Sequence, residues 1–132
     1  MKSGEKMDIS IKPSDVDFST FFGKKVTEVT LVGAELINVI FENGNLNVEC
    51  PWRLRNRDGI LVGATEQRGI GFLSTLKKYL LEIPITKIYH YEPTEDLIIE
   101  FNKKLYLDLF ADSTSFEQYQ LYEGDSLFLI GK

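Results

Sequence analysis

The sequence predicts an α+β fold rich in strand: a duplicated antiparallel β unit of meanders and hairpins, joined by one central helix. Apolar residues alternate with polar ones in short runs, and turn residues bound those runs. A single window, residues 69–82, carries apolar residues at helical spacing instead. The text before that window also resembles the text after it. A chain of 132 residues, 43% hydrophobic and 27% charged, is one domain (1–132) able to bury a core rather than a disordered segment.

The elements follow in order. Ile9 to Lys12 adds an edge strand, and Asp17 to Phe22 forms a short helical turn. Lys25 to Leu31 alternates as a strand. Leu36 to Glu42 follows, with Ile37, Val39 and Phe41 on one face. Asn43-Gly44 supplies residues that tolerate positive φ, as a two-residue hairpin requires. The return strand puts Leu46, Val48 and Cys50 on one face and Asn45, Asn47 and Glu49 on the other. After Pro51, Trp52 to Arg57 is extended, and Asp58-Gly59 turns the chain into Ile60 to Val62.

Ile70, Leu73, Leu76 and Leu80 then form one helical stripe between Gly69 and Glu82, closed by Pro84. Strands resume at Ile85 to Tyr91, Leu97 to Phe101, Lys104 to Phe110, Phe116 to Tyr122 and Leu127 to Ile130. Turns fall at Glu92 to Asp96, at Asn102-Lys103 and at Glu123 to Asp125. The expected core is Ile37, Val39, Phe41, Leu46, Val48, Leu73, Leu76, Leu80, Leu97, Ile99, Phe101, Leu105 and Leu107.

The repeat relates residues 24–63 to residues 85–131. Val26 to Val29 matches Ile85 to Ile88, and Phe41 to Leu46 matches Phe101 to Leu105. Trp52-Arg53-Leu54-Arg55 matches Tyr119-Gln120-Leu121-Tyr122, and Ile60 to Gly63 matches Phe128 to Gly131. Order, spacing and turns agree together.

Charge and cysteine usage narrow the function. The net charge of -5 argues against general nucleic-acid binding and suits a basic partner. No apolar run reaches the roughly 20 residues of a membrane helix. The start, Met1 to Asp8, lacks the apolar core of a secretory signal, and one cysteine makes no internal disulfide. The expected location is the cytoplasm, and a homo-oligomer is left open.

The main functional signal is the placement of arginine. All four lie within sixteen residues: Arg53, Arg55, Arg57 and Arg68. Guanidinium offers a planar fork of donors to carboxylate or phosphate, which lysine does not reproduce. Alternation puts Arg53, Arg55 and Arg57 on one strand face and Trp52 and Leu54 on the other, facing the core. Such a row repels itself unless an anion or carboxylates lie between its members. In the matched half Arg53 aligns with Gln120 and Arg55 with Tyr122, so the fold itself does not call for arginine there. Gly69-Ile70-Gly71 opens the helix and could turn backbone N–H groups toward the same anion. The expected ligand-binding residues are therefore Arg53, Arg55, Arg57, Arg68, Gly69 and Gly71. The competing reading is a solvated strand face whose arginines pair with nearby Glu and Asp.

Catalysis has little support. His90, the only histidine, lies between Tyr89 and Tyr91 on a strand and reads as structural or surface. Cys50 reads as a small core residue rather than a nucleophile. Neither recurs at ligand spacing, so no metal site and no cofactor are expected. Gly69-Ile70-Gly71 lacks the Gly-Lys-Ser/Thr ending of a phosphate loop. Asp112-Ser113-Thr114-Ser115 is a turn, and Glu92, Glu95 and Asp96 form an acidic, solvated one. A hydrolase survives only because carboxylates alone can serve as acid and base.

Two phrases resemble a group of small, uncharacterised bacterial proteins. One is Trp52-Arg53-Leu54-Arg55 leading to Ile60-Leu61-Val62-Gly63. The other is Phe110-Ala111-Asp112-Ser113 leading to Phe116-Glu117-Gln118-Tyr119. The resemblance covers about Gly23 to Gly131 and departs at Tyr119, where tryptophan is expected, and at Glu66, where aspartate is. Proteins of this kind are similar to immunity and anti-defence proteins, which act by binding, so the resemblance implies a binder but carries over no activity. The expectation is a non-enzymatic protein that captures an anionic small molecule, a nucleotide signal foremost, at the arginine strand. The alternative is an immunity protein that neutralises a basic toxin.

Overall fold

The structure, a computed structural model, describes residues 11–32, 36–63, 71–112 and 117–132. Its strands are β1 (Lys12–Pro13), β2 (Val26–Val32), β3 (Leu36–Phe41), β4 (Gly44–Val48), β5 (Trp52–Arg55) and β6 (Ile60–Gly63). After helix α1 (Phe72–Leu80) come β7 (Ile85–Glu92), β8 (Leu97–Phe101), β9 (Leu105–Leu109), β10 (Tyr119–Glu123) and β11 (Ser126–Gly131). A single 3-10 turn, Ser19–Phe21, stands where the short helical turn is expected.

Two antiparallel sheets result. One runs β1-β7-β8-β9-β5-β6 and the other β11-β10-β4-β3-β2. Each is a meander of three consecutive strands extended by a hairpin from the other half of the chain. β5 and β6 join β7-β8-β9, while β10 and β11 join β2-β3-β4. Four backbone bonds tie the halves where β2 and β7 begin. Gly23 N–H donates to Ile85 O (2.7 Å) and Glu82 N–H to Val26 O (2.8 Å). Ile85 N–H donates to Lys24 O (2.8 Å) and Val26 N–H to Ile83 O (3.1 Å). Lys25 and Pro84 face one another in an isolated bridge between these bonds.

The first hairpin turns one residue earlier than the sequence suggests. Phe41 pairs with Gly44, so the loop residues are Glu42 and Asn43, and only Asn43 has positive φ (54°). Gly44 is needed for room instead. A Cβ there would collide with the Tyr122 carbonyl oxygen and lie 2.6 Å from Phe41 Cε1.

One contiguous core joins the inner faces of both sheets and α1. Of the thirteen residues expected inside, twelve are buried and Leu73 is half-buried. Phe72 takes Leu73's place in the stripe with Leu76 and Leu80, because the helix starts at Phe72. No helix among the described residues is long and apolar enough to cross a membrane.

Candidate binding site

Alternation along β5 works as the sequence implies. Trp52 and Leu54 are buried at 3% and 0% exposure, and Arg53 and Arg55 lie on the opposite, outer face. Asp108 of β9 is paired directly with Arg53 and is itself only 2% exposed. Arg53 Nε donates to Asp108 Oδ2 at 2.7 Å. Arg55 Nε donates to the same oxygen at 2.6 Å, and Arg55 Nη2 to Oδ1 at 3.1 Å. One buried carboxylate thus separates two guanidinium groups whose side chains stay 40% and 32% exposed. Two positive charges share one negative charge. The hydrogen bond to Asp108 raises the Arg55 pKa further.

Aromatic rings frame the cluster. Arg53 Cζ lies 4.9 Å from the centre of the Phe110 ring, and Arg55 Cζ 4.5 Å from that of Tyr106. Strand pairing extends the face in two rows. One runs Tyr89, Ile98, Asp108, Arg53, Gly63, and the other Lys87, Glu100, Tyr106, Arg55, Ile60. The result is an outer sheet face with guanidinium groups set among half-buried tyrosines and an exposed Phe110. The sequence reading missed Asp108, Tyr106 and Phe110. The signal lay in Leu105-Tyr106-Leu107-Asp108-Leu109, whose alternation puts Tyr106 and Asp108 on the outer face together.

Arg57 does not continue the row. β5 ends at Arg55, and a four-residue loop, Asn56 to Gly59, leads to Ile60, which pairs back with Arg55. Asn56 Oδ1 accepts from Asp58 N–H (2.8 Å) and Gly59 N–H (3.1 Å), the local bonding that lets asparagine end a strand. Arg57 is exposed in that turn. Arg68 and Gly69 lie outside the described residues. Gly71 precedes α1 with φ of 103°, and its carbonyl accepts from Thr75 N–H (2.9 Å) and Thr75 Oγ1 (3.0 Å). Phe72 packs on Trp52 with ring centres 6.3 Å apart, so α1 begins on the Trp52 side of β5 and not on the arginine side.

The other candidate groups are engaged internally. His90 is 5% exposed, with Nδ1 2.8 Å from Ser14 Oγ and Nε2 3.0 Å from Glu95 Oε1. The pair pins the entering chain and the 92–96 turn to β7. Cys50 is buried, and burial pushes its thiol pKa up to about 12, the opposite of an activated nucleophile. Asp96 Oδ1 accepts from Ala111 N–H at 3.0 Å, and Glu123 accepts from the Thr20 hydroxyl. Of the four residues Asp112 to Ser115, only Asp112 is described, and its N–H donates to Gln118 Oε1 at 3.1 Å. Among the described residues, no three of His, Cys, Asp and Glu gather in a way that could hold a metal ion. No family model matches the chain, and neither a curated protein nor a solved structure does.

Proposed function

We propose that the protein is a non-enzymatic binder that captures an anionic, nucleotide-type ligand on the outer face of the six-stranded sheet, in an anti-defence or signal-sequestering role. One observation carries this reading. Arg53 and Arg55 are fixed on a single buried carboxylate, leaving one unit of surplus positive charge at a set position in a protein of net charge -5. Arg53 commits Nε to Asp108, so its two terminal nitrogens remain the fork for a phosphate. Phe110 and Tyr106 offer ring faces beside that fork on which a base can stack. Arg57 adds a further positive charge in the exposed turn that follows the strand.

The competing immunity reading has less support. It rests on Glu92, Glu95, Asp96, Glu123 and Asp125, and three of these already bond His90, the Ala111 amide and the Thr20 hydroxyl. A carboxylate tied to its own chain is a poorer contact for a basic toxin.

We propose also that the halves descend from one duplicated unit. Pairs Phe41–Gly44 and Phe101–Leu105 open equivalent hairpins. Bulges fall at Val26/Glu28 and Ile85/Lys87, and again at Leu54/Arg55 and Leu121/Tyr122. Trp52 opposite Leu109 corresponds to Tyr119 opposite Val48. In this equivalence Arg53, Arg55 and Asp108 stand where the other sheet has Gln120, Tyr122 and Asn47. The same framework therefore carries amides and a tyrosine at one site and a charged cluster at the other, which supports a ligand role for the cluster beside its part in the junction.

The test is a thermal-shift screen with linear and cyclic nucleotides. A ligand present at a hundred times its Kd stabilises by about 2.7 kcal/mol, a shift of several degrees in Tm. Stabilisation lost in Arg53→Ala supports the reading. A panel with no stabilising member overturns it.

A further inference from the structure

The sheet edges are not guarded alike. α1 packs along β2, with Lys77 Nζ 3.6 Å from Glu28 Oε1, and packs also on β6. β7 is covered by β1, a two-residue strand that ends in Pro13. These are ordinary protections against edge-to-edge pairing. Among the described residues β11 has neither a covering helix nor a covering strand, and its one irregularity is the bulge at Phe128. Ser126–Gly131 contains neither a charged residue nor proline, and no strand pairs with its outer side. Leu127, Phe128, Leu129 and Ile130 are four consecutive apolar residues, and none is buried; Leu127 is 50% exposed. An exposed apolar run on a sheet edge is a binding surface or a liability.

We infer that β11 is a dimer interface, pairing antiparallel with β11 of a second copy of this chain about a two-fold axis. The sequence around the strand selects this occupant. In the fully overlapped register the axis passes between Phe128 and Leu129. Leu127 then faces Ile130 of the second copy, and Ser126 faces Gly131. The faces agree. Leu127 and Ile130 lie on the outer face, opposite Tyr122 and Gln120. Phe128 packs on the Phe18 and Phe21 rings and Leu129 opposes Leu121, both toward the core, because the bulge turns two successive side chains inward. One step further out, Asp125 meets Lys132 of the second copy, and the symmetry repeats that ion pair at the other end. An antiparallel self-pairing thus buries the apolar run, joins two five-stranded sheets and matches opposite charges twice. The contact is short, so the dimer is concentration-dependent, with a Kd of micromolar order or weaker. The interface does not involve the arginine face.

Sedimentation equilibrium of the full chain over a range of concentrations tests this. The weight-average mass should rise from 15.1 kDa toward twice that value. Leu127→Lys should keep the chain monomeric, whereas Ile60→Lys, at a comparably exposed site on β6, should leave the dimer intact. Asp125→Lys should weaken the dimer several-fold, and the exchanged pair Asp125→Lys with Lys132→Asp should restore it. A wild-type chain that stays monomeric to about 1 mM overturns the inference. So does a dimer that survives Leu127→Lys, or an exchanged pair no better than Asp125→Lys alone.

Discussion

Arg55 holds Asp108 through two nitrogens, Nε at 2.6 Å and Nη2 at 3.1 Å, across the junction of β5 and β9. That junction joins an exchanged hairpin to the meander of the opposite half, so the bond ties sheet assembly to the candidate site. The carboxylate is nearly inaccessible while the guanidinium groups are about a third exposed. Solvent screening therefore reduces the ion pair's contribution, and the buried oxygens dominate the cost of disrupting it.

Asp108→Asn should cost about 1.5 to 3 kcal/mol, the value of hydrogen bonds to a charged group. It removes the charge that separates Arg53 from Arg55 and leaves two guanidinium groups side by side. Urea unfolding should show a lower midpoint with an unchanged slope. An unchanged midpoint would mean that the cluster contributes nothing to the junction.

Gly44→Ala should be destabilising although its φ is unexceptional. The new methyl group would meet the Tyr122 carbonyl and the Phe41 ring, at the strand pair that joins β4 to β10. Overpacking of this kind typically costs about 1 to 3 kcal/mol. Gly59→Ala is the contrast: its Cβ meets nothing, and the cost comes from a φ of 150°. Thermal unfolding of both variants separates crowding from backbone strain.

Cys50 makes the fold sensitive to alkali. Its folded pKa, about 12, lies above the ordinary thiol value. Above about pH 9 the unfolded chain loses this proton while the folded chain keeps it, so the unfolded state binds fewer protons and stability falls as pH rises. The full contribution is present below pH 9 and is lost up to about pH 12. Relative to Cys50→Ala, the wild-type chain should lose roughly 1 kcal/mol per pH unit across that window. Denaturant titrations of both proteins at pH 8, 9, 10 and 11 measure the difference. Parallel losses would place the thiol in contact with water.

The strands, the helix and twelve core positions were legible because each follows from local periodicity. Leu46 and Val48 alternate inward whatever the sheet order is, and Trp52 faces the core while Arg53 does not. Asp108 as the partner of Arg53 was not legible, because 55 residues separate them and nothing local fixes which strands pair. The exchange of hairpins was hidden for the same reason: each hairpin reads identically whichever meander it extends. Text similarity sets Leu46 beside Leu105, but the hairpins set it beside Leu107: Leu46 lies two residues after Gly44, the partner of Phe41, and Leu107 two after Leu105, the partner of Phe101. Arg57 was misplaced because an extended run was carried past Arg55, where the Asn56 side chain already closes the turn.

The most direct test of the arginine face is isothermal titration of a nucleotide found by the thermal screen into wild-type protein, Arg53→Lys and Arg55→Lys. The account predicts one site per chain, with affinity falling as salt rises. It predicts about a tenfold loss in Arg53→Lys, which keeps the charge but loses the fork. Arg55→Lys should cost less, because two of the Arg55 nitrogens are already spent on Asp108. Equal affinity for all three proteins, or no heat from any nucleotide, would contradict it.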